Sequence, residues 1–102
     1  MSEHAVIVSF AYGDRNLDAL FDLEEKLEAA IEEAGVGEYD GNEIAVDGSD
    51  GSLFMFGPDA ERLFAVVQPI LATTPFMKGA EVHLRFGPPG EGVPERIVTL
   101  DP

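Results

Sequence analysis

Three polar residues near the carboxyl end of the chain stand at two-residue spacing. Glu81, His83 and Arg85 share one parity of a short alternating segment, so they project from the same face of a predicted strand. A carboxylate, an imidazole that titrates near neutral pH and a guanidinium are groups that acid–base catalysis uses. The same residues also form an ordinary ladder of solvated charges across strands, and we favour this interpretation.

A second polar group lies in the loop after the first predicted strand. Tyr12 and Arg15 stand beside Asp14 and Asn16 where a helix begins, and the amino terminus of a helix attracts anions. Asp14 would repel such a ligand, and both Asp14 and Asn16 are ordinary capping residues. If the protein is a small enzyme or ligand sensor, we expect its pocket to use four polar residues, namely Tyr12, Arg15, His83 and Arg85.

Acidic residues around two predicted turns supply hard oxygen atoms of the kind that bind calcium. These residues are Glu38, Asp40, Glu43, Asp47 and Asp50. The segment DGSDG does not have the spacing of an EF-hand loop, so turn formation explains it better than a metal site. The chain has no cysteine and no nucleophilic serine motif. We therefore predict no catalytic residue, metal or cofactor, and we expect His4 to be an exposed bystander near the amino terminus.

Length and composition predict one globular domain. The chain has 102 residues, of which 45% are hydrophobic, and this is enough apolar material for one core. Its formal charge of -14 argues against binding to nucleic acid or to anionic membranes. Neither a signal peptide nor an apolar run of about 18 residues is visible. We therefore expect a cytoplasmic protein.

A helix with one strongly acidic face follows the first strand. Three of its glutamates, Glu25, Glu28 and Glu32, lie opposite the apolar positions and would form a surface for a basic protein partner. A solvated helix face explains the same pattern. A salt-adapted host also explains it, because acidic surfaces with few lysines keep proteins soluble at high salt.

The hydrophobic pattern predicts five strands and two helices. We expect strands at 5–12, 38–46, 52–56, 80–86 and 95–100, the second of them clearest at 44–46. We expect helices at 16–34 and 59–73, the second of them kinked at Pro69. The order is βαββαβ with one appended strand, which is typical of a ferredoxin-like α+β fold with two helices on one face of an antiparallel sheet. A last strand exchanged with a second copy is the main alternative.

The face of the sheet away from the helices is the predicted interaction surface. If Phe54 and Phe56 point towards the helices, the opposite parity exposes Leu53 and Met55 together with His83. A contiguous exposed apolar area of this kind marks an interface, and we expect a homodimer through it. The alternative is that the loop 87–94 or the last strand covers this face.

The chain, and especially its segment DGNEIAVDGSDGSLFMFGPDA, resembles small uncharacterised bacterial proteins of ferredoxin-like design. The resemblance implies a fold and no activity. We therefore expect a non-catalytic protein-binding or regulatory module, and an immunity-like inhibitor of a basic partner is one version. The alternative is the small enzyme or ligand sensor described above.

Overall fold

The computed structural model describes residues 3–14, 16–88, 90 and 92–100. It is an α+β structure in which two helices pack against a sheet of five antiparallel strands. The elements are β1 (His4–Ala11), α1 (Asp18–Ala34), β2 (Glu38–Ile44), β3 (Asp50–Gly57), α2 (Ala60–Ala72), a short 3-10 helix (Pro75–Met77), β4 (Glu81–Arg85) and β5 (Glu95–Thr99).

The strands are arranged in the order β2-β3-β1-β4-β5, and every neighbouring pair is antiparallel. This order is consistent with the ferredoxin-like arrangement that the sequence predicts. β5 extends the sheet beyond β4 and pairs with it from Glu81↔Thr99 to Arg85↔Glu95. The last strand therefore widens the sheet and does not fold over its second face.

α1 forms where apolar residues recur at helical spacing. Its buried side chains are Leu20, Leu23, Leu27 and Ile31. The helix begins two residues later than predicted, because Asn16 forms a turn before it: Asn16 Oδ1 accepts a hydrogen bond from the Asp18 amide at 3.0 Å. Gly35 ends the helix in the left-handed conformation, with φ of 65°, as its position predicts.

α2 begins with two side chains that accept hydrogen bonds from its free amides. Asp59 Oδ1 accepts from the Glu61 amide at 3.0 Å, and His4 Nδ1 accepts from the Ala60 amide at 3.0 Å. The expectation that His4 is an exposed bystander was wrong, because the register of β1 brings this side chain to the start of α2. The helix continues through Pro69 to Ala72.

The predicted orientation of β3 was wrong. Leu53 and Met55 are fully buried on the helix side of the sheet, whereas Phe54 and Phe56 are partly exposed on the other side. Four consecutive apolar residues show no alternation, so the sequence of β3 does not indicate which parity faces inward. Pairing with β1 decides it, because Leu53 lies opposite the buried Val8.

β2 lies within the predicted segment 38–46, but the half predicted to be clearest, 44–46, is mostly turn. The strand runs over Glu38–Ile44, and residues 45–49 form the turn that leads into β3. β2 is an edge strand with a register shift between Tyr39 and Gly41. Exposed edge strands tolerate charged residues and bulges, and these hide the alternation that identifies a strand in the sequence.

Candidate protein-binding surface

The two faces of the sheet differ in what covers them. α1 and α2 bury their apolar sides in one core with Val6, Val8 and Leu84. In the described part of the chain, no helix or strand packs on the opposite side. We call that side the open face. On β3, β1, β4 and β5, which are neighbours in the sheet, its residues are Ala5, Ile7, Ser9, Ala11, Asp50, Ser52, Phe54, Phe56, Glu81, His83, Arg85, Glu95, Ile97 and Thr99.

An apolar row crosses the middle of the open face. Phe54 lies opposite Ile7, Ile7 lies opposite His83, and His83 lies opposite Ile97. Directly opposed residues in antiparallel strands project from the same face with Cβ atoms about 5 Å apart. We call these four residues the central row. Ile97 is 57% exposed, and the other three are partly exposed.

Two polar rows flank the central row. The serine row contains Ser52, Ser9, Glu81 and Thr99, and the arginine row contains Phe56, Ala5, Arg85 and Glu95. Glu81 and Arg85 therefore lie on either side of His83 along β4. At the edge of the sheet, β2 adds Glu43 to the serine row and Glu38 to the arginine row.

Neither charged residue on β4 has an ionic partner in the described part of the chain. The ion pair found there joins Arg96 Nη1 to Glu61 Oε1 at 3.1 Å on the helix side. Arg85 donates from Nε to the Gly87 carbonyl at 2.7 Å, and this leaves its terminal nitrogens available to a further acceptor. Glu81 is exposed and lies opposite Thr99.

A shallow groove of about 820 Å³ lies at the end of the open face where β1 ends. Its lining includes Ser9, Ser52, Glu43 and Glu81, with Lys78 at its margin. Hydroxyls and carboxylates on this groove make it hydrophilic, in contrast to the central row. The open face thus has an apolar middle and an acidic end.

The polar groups predicted for an enzyme pocket do not come together. Tyr12 lies on the helix side, where its ring is 5.0 Å from that of Phe76 and its hydroxyl donates to the Asn16 carbonyl at 2.5 Å. His83 and Arg85 lie on the open face, and Arg15 lies outside the described residues. A deeper cavity of about 390 Å³ lies at the end of α2, and its lining includes Gln68, Thr74 and Leu100 but not Tyr12, His83 or Arg85.

The acidic surface of α1 points away from the sheet. Glu25, Glu28 and Glu32 are all exposed, as the helical spacing predicts. Glu24, one residue earlier, has a different role, because its carboxylate accepts from the Tyr39 hydroxyl at 2.6 Å and from Asn42 Nδ2 at 2.9 Å. Glu24 thus ties α1 to the edge strand.

This contact changes the acidity of Tyr39. Burial raises the pKa of the Tyr39 hydroxyl well above its ordinary value of 10.0. The hydrogen bond to Glu24 and the negative charges of Glu24 and Glu28 raise it further. The tyrosine therefore stays protonated and donates to the carboxylate at neutral pH.

Of the acidic residues near the β2–β3 turn, Asp47 acts in the turn itself, whereas Glu38, Asp40 and Glu43 lie on β2. Asp47 Oδ1 accepts from the Ser49 amide at 2.9 Å, and hydrogen bonds from Ser49 lower the pKa of the Asp47 carboxyl. Across residues 3–14, 16–88, 90 and 92–100, no three histidine, aspartate or glutamate side chains are grouped so that they could hold a metal ion.

Sequence reasoning missed Phe54, Phe56 and Ile97 as residues of the open face. The alternation of β4 was the signal that could have found them, since Val82 and Leu84 must face the core. Extending that parity across the sheet requires the register, and a single sequence does not supply it.

Comparison of the chain with protein-family models, with curated proteins and with solved structures gives no match. Neither described helix is long and apolar enough to cross a membrane.

Proposed function

We propose that the protein is a non-catalytic protein-binding module of ferredoxin-like design that acts as a homodimer. In this proposal a second copy covers the open face, and the acidic surface of α1 contacts a basic protein. The observation that carries the proposal is the central row, a line of three apolar side chains and His83 on a face that no described helix or strand covers. Partly exposed apolar rows on a sheet are characteristic of interfaces.

The two proposed surfaces can be used at the same time. Glu25, Glu28 and Glu32 lie on the outward side of a helix that packs on the covered face of the sheet. A second copy on the open face would leave these carboxylates exposed. An acidic patch on each copy would attract a basic partner and raise the rate of association.

Substitution of Ile97 tests the dimer. Ile97→Asp places a charge at the exposed end of the central row, and we expect it to weaken self-association at least roughly tenfold, because the second copy would cover an unpaired carboxylate. Val46→Asp is the matched control, because Val46 is fully exposed in the β2–β3 turn and lies off the open face. Sedimentation velocity over a concentration series measures both. Equal dissociation constants for the two variants would contradict the proposal.

The acidic surface has its own test. Replacing Glu25, Glu28 and Glu32 together by glutamine removes three charges and no buried contact. Association with a basic protein partner should slow and should lose part of its salt dependence, which stopped-flow mixing at two ionic strengths would measure. An association rate that neither the substitutions nor salt changes would remove this surface from the proposal.

A further inference from the structure

We infer that the second copy on the open face is oriented so that Glu81 of each copy pairs with the partner's Arg85. This inference rests on the proposed function and specifies the geometry of its interface. Both residues belong to β4 and stand two residues before and after His83. Each is therefore about 7 Å along the strand from the central row, in opposite directions.

Because of this spacing, one arrangement of two stacked sheets brings each Glu81 over the Arg85 of the other copy. A two-fold axis that lies between the sheets and runs along the central row turns each strand antiparallel over its counterpart. The central rows then face each other, and the serine row of one copy faces the arginine row of the other. Because Glu81 and Arg85 lie on the same strand, each Glu81 lies directly over the partner's Arg85.

Charge complementarity selects this axis. A two-fold axis parallel to the strands keeps each row over its own counterpart, so Glu81 would meet the serine row, which contains no arginine or lysine, and would gain no cation. The antiparallel arrangement gives two reciprocal pairs, each between the Glu81 carboxylate of one copy and the Arg85 guanidinium of the other. Within one copy, neither group has an ionic partner in the described part of the chain. Reciprocal contacts of this kind define an isologous interface.

The area of the open face is sufficient for a weak dimer. Strands about 4.8 Å apart and up to eight residues long give a surface on the order of 600 Å² for each copy. Two such surfaces bury about 1,200 Å², which is the lower end of specific interfaces. The interface is therefore expected to dissociate in the roughly micromolar range.

Two like-charge contacts oppose this arrangement and affect its salt dependence. Glu38 and Glu43 on β2 lie in opposite polar rows, so each would face the other residue in the partner. Both are exposed at the edge of the sheet, where salt screens charges that lie further apart than about 8 Å. Two copies of formal charge -14 also repel each other at long range, and salt screens this repulsion more than it screens the Glu81–Arg85 pairs, which the interface covers. The dimer should therefore be tighter at 0.5 M salt than at 0.05 M salt.

Charge reversal tests the pairing. Glu81→Arg alone gives two contacts between arginines, and Arg85→Glu alone gives two contacts between glutamates, so each variant should dimerise at least about a hundredfold more weakly. An equimolar mixture of the two variants restores both pairs in a heterodimer. Native mass spectrometry distinguishes this heterodimer from either homodimer. Glu33→Arg and Arg62→Glu are matched controls, since both residues are exposed on the helices, and these variants should dimerise as the wild type does.

A cross-link provides a second measurement that does not depend on charge. The chain has no cysteine, so His83→Cys introduces a single thiol on the proposed axis. Stacked sheets lie about 10 Å apart, so a short bismaleimide should join the introduced thiols of two copies, whereas the variant Val46→Cys should not cross-link.

The possible results separate the two proposals. A heterodimer in the mixture together with a cross-link in the His83→Cys variant supports the pairing. The pairing is overturned if the wild type dimerises and its single charge variants dimerise equally tightly, or if their mixture gives no heterodimer. Either result leaves the homodimer standing. A wild-type protein that is monomeric throughout the concentration series overturns both.

Discussion

The two faces of one sheet carry apolar side chains of similar size and different consequence. On β3, Leu53 and Met55 are fully buried under the helices. Phe54 and Phe56, which alternate with them along the strand, are partly exposed on the open face. The covered face is the core and determines stability. The open face contributes less to the fold of one copy, and so its apolar residues are available for binding.

Truncation of adjacent residues on β3 is the strongest way to break this comparison. Leu53→Ala removes a fully buried side chain and should lower the free energy of unfolding by about 2–5 kcal/mol. Phe54→Ala should cost less, about 1–2 kcal/mol in the monomer, because its side chain keeps part of its solvent contact and its removal leaves no closed cavity. Urea denaturation at a protein concentration low enough to keep the chain monomeric measures both. Equal losses would contradict the assignment of the two faces.

A smaller effect contrasts two neighbouring glutamates on α1. Glu24→Ala leaves the Tyr39 hydroxyl and Asn42 without their acceptor and should cost about 1–3 kcal/mol. Glu25→Ala changes an exposed side chain at the next position and should change stability by less than about 0.5 kcal/mol. The difference between their urea midpoints is the measurement. If Glu25→Ala is as destabilising as Glu24→Ala, the hydrogen bonds of Glu24 to Tyr39 and Asn42 do not contribute to stability as we expect.

The smallest effect appears at alkaline pH. The folded state keeps the proton on Tyr39 after the unfolded chain loses it, because the pKa of this hydroxyl is raised in the fold. This contribution to stability is fully present below about pH 10 and is lost as the pH rises above that value. The midpoint of thermal unfolding should therefore fall more steeply from about pH 9 to about pH 11 for the wild type than for Tyr39→Phe. Tyr12→Phe is the control and should keep the steep slope.

The order of the elements was predictable because local signals mark it. The apolar spacing of α1, the left-handed position of Gly35 and the start of α2 at Asp59 all appear in the sequence and in the structure. The strict alternation of β4 also identified His83 and Arg85 as residues of one face, as the structure shows. These features depend on residues that are close together in the chain.

The remainder depends on contacts between distant residues. The inward parity of β3 is decided by pairing with β1, more than 40 residues earlier in the sequence. The role of His4 depends on its meeting Ala60, and β2 forms against β3 despite its acidic sequence. A one-residue change of register exchanges the two faces of a strand, so the residues that β3 contributes to the open face were not accessible from the sequence.

The solution mass of the untagged protein tests the central claim most directly. Light scattering over a concentration series at 0.05 M and 0.5 M salt should show a dimer near twice 11.0 kDa that is tighter at the higher salt. A mass of 11.0 kDa at every concentration up to several times the expected micromolar dissociation constant, at both salts, would contradict the claim that a second copy covers the open face.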